Sequence, residues 1–75
     1  MLYRAEIVDV NAFISYATNK MFGNYSYRWI GLDDDGTQIF ETQPVTISGE
    51  FSPVVTCCLS DSNGNILASE QFSLI

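Results

Sequence analysis

The sequence predicts one all-β domain over residues 1–75, an antiparallel sandwich of about seven short strands, and three features lead there. The first is the stretch 53–68. Val55, Cys57 and Leu59 alternate with Thr56, Cys58 and Ser60, the two-residue period of a strand with one buried face. Asn63-Gly64 follows, a dipeptide suited to the positive φ angles of a hairpin turn, and Ile66, Ala68, Phe72 and Leu74 return on one parity. The second is the spacing of turn signals, about every eight to twelve residues, between runs rich in β-branched and aromatic side chains. The third is Trp29, which stands in mid-strand on the side of Tyr25 and Tyr27 and has the surface to centre a small two-layered core.

Taken in order, residues 2–9 are β-prone but poorly patterned, because Leu2, Arg4, Glu6 and Val8 alternate with Tyr3, Ala5, Ile7 and Asp9. An edge strand fits them, with Ile7 inward and the acids guarding the edge. Asn11 gives a break, and residues 12–18 form a second strand, since Phe13, Ile14, Tyr16 and Thr18 favour a strand over a short helix. Residues 19–24 are a connection whose Met21 and Phe22 either plug the end of the core or make an exposed contact. Residues 25–32 are a third strand, with Tyr25, Tyr27 and Trp29 opposite Ser26, Arg28 and Ile30. An acidic turn at 33–36 leads to a short strand at 37–41 through Ile39 and Phe40. Thr42-Gln43-Pro44 ends it, and 45–48 is another short strand with Val45 and Ile47 inward. Glu70 interrupts the apolar parity of the last arm and predicts a bulge or register shift there.

Composition removes several classes of function. Nine acids against three bases give a formal charge of −6, the wrong balance for a phosphate backbone, so no nucleic-acid partner is expected. Four Tyr, five Phe and one Trp argue for a packed core or an interface and against disorder. The N-terminal run carries acids and no long apolar segment, so neither a secretory signal nor a membrane partner is expected. With Met1 as the native start, the chain is expected to be made and released inside a cell, and Asn24-Tyr25-Ser26, which matches the N-glycosylation pattern, is discounted for want of a signal. Cys57 and Cys58 are neighbours whose side chains a strand sets on opposite faces. Both are therefore read as reduced, Cys57 in the core and Cys58 toward solvent or an interface.

Catalytic machinery is not found. Without histidine, neither a Ser-His-Asp nor a Cys-His arrangement can be built, and Lys20 stands alone on a loop. Asp33, Asp34 and Asp35 lie on an exposed turn, and a calcium loop would need a ligand at Gly31 and a glutamate at Thr42. No phosphate-cradling glycine loop and no zinc-ligand spacing appear. The reading is a non-enzymatic chain with no catalytic residue, no cofactor and no metal site.

Tyr27-Arg28-Trp29, Asp34-Asp35-Gly36-Thr37, Val45-Thr46-Ile47-Ser48-Gly49 and residues 55–65 together resemble immunoglobulin-like domains of the polycystic-kidney-disease and bacterial repeat type, over roughly residues 24–68. The resemblance implies an immunoglobulin-like sandwich in which Trp29 is the core tryptophan of the third strand and Cys57 holds the core position of the sixth. Its sixth-strand tyrosine is absent here, and no cysteine in 12–18 could pair with Cys57. The functional expectation is a module that docks on a protein assembly, foremost a bacteriophage capsid decoration or cement protein on the virion surface, assembled in the host cytoplasm. Its partner would be a capsid or other virion protein, and self-association into a homo-oligomer is open. Tyr3, Met21, Phe22 and Phe51 are the docking candidates, with core or loop packing as the competing role for each. The alternative is an adhesion or carbohydrate-binding module at a cell surface, with Tyr16, Tyr25 and Tyr27 stacking on sugar rings.

Overall fold

The computed structural model describes residues 1–75 and is all-β, with no helix. Six strands take the place of the expected seven or so: β1 (Leu2–Ser15), β2 (Lys20–Leu32), β3 (Gln38–Glu41), β4 (Val45–Phe51), β5 (Val54–Ser60) and β6 (Ile66–Ser73). Pairing is antiparallel throughout. β2 is the centre of a four-stranded sheet, with β1 along one edge and both β3 and β4 along the other, β4 on its first half and β3 on its last residues. β5 and β6 make a separate two-stranded sheet.

The strand count falls because β1 does not stop at Asn11, and residues 20–24 are strand, not connection. Asn11 sits opposite Asn24 in a ladder that runs from Leu2↔Leu32 to Ser15↔Lys20, broken only between Ile7 and Asp9. Val8 is the extra residue of a β-bulge, and a bulge reverses the parity of all that follows it. Tyr3, Ala5 and Ile7 pair with Gly31, Trp29 and Tyr27; beyond the bulge, Val10, Ala12 and Ile14 pair with Tyr25, Gly23 and Met21 on that same face. The scrambled pattern of residues 2–15 is thus two regular patterns out of phase. A turn closed by the Thr18 N–H on the Ser15 carbonyl, with Asn19 at positive φ, joins the arms. Fourteen strand residues at about 3.3 Å each make roughly 46 Å, which accounts for the 45 Å long axis of the molecule.

The core lies where the smaller sheet meets the middle of this hairpin. Ala5, Tyr25, Trp29, Val55 and Cys57 form one buried cluster, with Ile7, Leu59, Ala68, Phe72 and Leu74 packed against it. Trp29 is 2% exposed and Cys57 is sealed, as expected of the indole and the inner thiol. The Trp29 Nε1–H is buried without an acceptor. The expected register shift is in the last arm, at Leu67, since Leu59 pairs with Ala68 and Ser60 with Ile66, while Glu70 itself keeps its inward place opposite Cys57. Its carboxylate accepts a hydrogen bond from the Ala5 N–H, which satisfies an acid on an apolar face. That donor is free because Trp29, the partner of Ala5, spends its own N–H and carbonyl on Thr42, so the Ala5 main chain turns to the open edge of β1.

Two loops share one construction. Asp33 Oδ1 accepts from the N–H groups of Asp35 and Thr37 at 3.0 and 2.9 Å, and Asp61 Oδ1 accepts from those of Asn63 and Asn65 at 2.9 Å each. Gly36 and Gly64 close each turn onto the aspartate carbonyl at φ 82° and 86°. The positive φ falls on Gly64 alone and not on Asn63, which makes the second loop a type I turn with a glycine bulge. The acidic run 33–36 is therefore a hairpin loop of the same kind.

Candidate functional site

The four docking candidates do not share a surface. Met21 is buried on the inner face opposite Phe51, whose ring meets Tyr25 edge-on at 4.9 Å. Tyr3 is half-buried on that face and tilts against Phe40 at 6.0 Å. Phe40 reaches Tyr3 by lying across Gly31, where any Cβ would run into its ring. These three side chains hold the inner layer together. Phe22 points the other way and stacks on Phe13 at 5.8 Å, and Phe13 is 66% exposed. Of the sugar-stacking candidates, Tyr25 is buried, Tyr27 half-buried and Tyr16 exposed in the turn after β1. Burial, followed by the neighbouring Cys57, raises the phenol pKa of both Tyr25 and Tyr27.

The middle of the outer face of the larger sheet is polar and self-paired, between the Phe13–Phe22 stack at one end and Ile30, Leu2 and Leu32 at the other. Arg28 lies between Glu6 at 2.5 Å and Glu41 at 3.2 Å, a charge ladder over β1, β2 and β3, and the hydrogen bond that Arg28 Nε donates to Glu6 is foremost in raising the guanidinium pKa. Ser26 and Thr46 hydroxyls meet at 2.9 Å further along. No concave pocket opens anywhere, and no three carboxylates or thiols converge in a metal-holding group. No helix is long and apolar enough to cross a membrane.

Sequence reasoning missed the inner face of β4. Val45 and Ile47 point inward as expected, opposite Tyr27 and Tyr25, yet they are 45% and 36% exposed. All of β3 and all of β4 except Phe51 are exposed. The reason is width. Strands stand about 4.8 Å apart in a sheet, so β5 and β6 can cover about two strands; they cover β1 and β2 and meet β4 only at Phe51. A half-covered sheet leaves apolar side chains open on its inner face. No family model, no curated protein and no solved structure matches this chain.

Proposed function

We propose that this chain is a non-enzymatic interaction module that docks on a larger protein assembly, with a capsid decoration role on a bacteriophage virion as its leading form. One observation carries the reading: Val45 and Ile47 of β4 point inward like core-strand residues, yet they stay 45% and 36% exposed. Apolar residues on an exposed, extended surface are the usual mark of a protein contact. The acidic charge keeps such a surface soluble while it is free and directs it toward basic partners. Docking would also stabilise the fold, because a partner that binds only the folded chain shifts folding by mass action. The immunoglobulin-like sandwich belongs to this proposal as a resemblance of short motifs; the hairpin order, with β2 paired to β1, β3 and β4, lends it no support of its own.

Co-sedimentation with purified virions that lack the chain tests the reading. Saturable binding that raises the thermal midpoint of the bound chain is the expected result. Absence of binding to any particle, together with saturable binding on a glycan array lost in Tyr16→Ala, would replace it with the adhesion reading.

A further inference from the structure

We infer that the open edge of β5 and the partly open inner face of β4 form one slot, which takes an extended, basic segment of a partner protein as a third strand of the smaller sheet. β6 lies toward β1, where Glu70 reaches Ala5, and β5 lies over β2, where Cys57 packs with Tyr25 and Trp29. One strand further in that direction is the place above β4, and no strand of this chain fills it.

The main chain specifies a strand as the occupant. The Leu74 N–H donates to the Pro53 carbonyl at 2.8 Å, and bonded pairs alternate along an antiparallel ladder. Val55 and Cys57 therefore spend their main-chain groups on β6, while Val54, Thr56 and Cys58 turn theirs to the open edge. The Val54 N–H is met by Ser52 Oγ at 3.4 Å; those of Thr56 and Cys58 face no strand. Two other edges are guarded, β1 by its bulge and by Glu70 and β4 by Glu50 and the preceding Pro44. β5 has no charged residue. A guest strand paired there sets alternate side chains onto Val45, Ile47 and Tyr27, so those positions would be apolar.

Charge specifies its sign. Asp61 ends β5, and since only two residues link Phe51 to Val54, β5 starts level with Met21 and runs toward Trp29, the end where Asp33, Asp34 and Asp35 lie. Arg4 and Arg28 are on the opposite face of the larger sheet and Lys20 is at the far hairpin end. A second copy is a poor occupant, because each copy carries −6 and would bring like charge to an acidic slot end.

The inference rests on the docking reading, and one set of variants separates the two. The probes are capped peptides of about ten residues alternating Val with Lys, Val with Glu, and Ser with Lys, added to the full chain while amide exchange is followed by NMR. The Val-Lys peptide is expected to slow exchange at Thr56 and Cys58 by about tenfold or more, the other two to leave it unchanged, and Ile47→Lys and Thr56→Pro each to abolish the effect. Thr56→Pro removes an N–H that faces the open edge, and Ile47→Lys keeps the test alive should that proline unfold the strand. An equal response to Ser-Lys, a response confined to the acidic loops, or concentration-dependent protection of Thr56 without peptide would each overturn the slot. If virions bind Ile47→Lys as well as the parent chain, the slot falls and the docking reading stands; if they bind neither while the peptide result holds, the docking reading falls and the slot stands.

Discussion

Trp29 and Val45 project from the same side of one sheet, two strands of a continuous ladder, yet one is sealed and the other is 45% exposed. Their sequences have the same alternation. What differs is the layer above: β5 and β6 roof the middle of the β1–β2 hairpin and meet β4 only at Phe51. Alternation reports which way a side chain points, and burial is decided by the width of the facing sheet. The covered half accounts for the fold, and the other half leaves Val45 and Ile47 partly open.

Substitutions on the two sides of that boundary should behave differently. Trp29→Ala empties the centre of the covered half and is expected to cost about 3–5 kcal/mol, enough to abolish cooperative unfolding in a chain this small, as seen by urea denaturation. Gly31→Val drives a side chain into the Phe40 ring that bridges to Tyr3, and an overpacked site of this kind costs about 1–3 kcal/mol; Phe40→Ala in the same chain should restore part of the loss, which a double-mutant cycle measures. The cysteines mark the boundary kinetically. Burial raises the Cys57 thiol pKa, with Cys58 and Glu70 adding to it, so a thiol reagent should label the exposed Cys58 in the native protein and reach Cys57 only on unfolding, with mass spectrometry counting the adducts.

A smaller effect belongs to the loop between β5 and β6. The Asn65 main-chain N–H, then its side-chain amide, hold the Asp61 carboxyl below the usual carboxylate range. A depressed folded pKa stabilises the fold above the unfolded value of about 3.9 and ceases to do so as pH falls through the lower folded value. Asp61→Asn should therefore narrow the stability difference between pH 6 and pH 2, about one residue's share of it, measured by thermal melts at both. Ile47→Thr should be the mildest, about 1 kcal/mol, because Ile47 keeps 36% of its surface exposed where Trp29 keeps 2%. A loss near that of Trp29→Ala would mean that β4 is covered after all.

The covered half was the legible one. Val55, Cys57 and Leu59 alternate without interruption, Asp61 and Gly64 set the loop, and the indole announces its own burial, so local pattern and tertiary place agree. Residues 2–24 misled because strand pattern is read at one parity, and the bulge at Val8 changes parity in mid-strand; no glycine or proline marks the spot. Met21 and Phe22 looked like loop residues because the true turn, at 16–19, has no Asn-Gly or Pro to advertise it. Met21 and Phe22 became docking candidates as apolar residues of a supposed connection, and three of the four candidates, Tyr3, Met21 and Phe51, belong to the inner layer. Val45 and Ile47 were placed on the right face, but no signal in a single strand says how wide the opposing sheet will be.

The bulge also sets which changes of chain length β1 can survive. Ile7 pairs with Tyr27 and Asp9 with Ser26, so losing one residue from Ile7, Val8 and Asp9 closes the ladder and leaves the rest of the strand facing as before. An excision further from the bulge would turn the residues between inside out. In a lineage of such chains, gains and losses of single residues would accumulate at this position and leave the remainder of the hairpin at constant length.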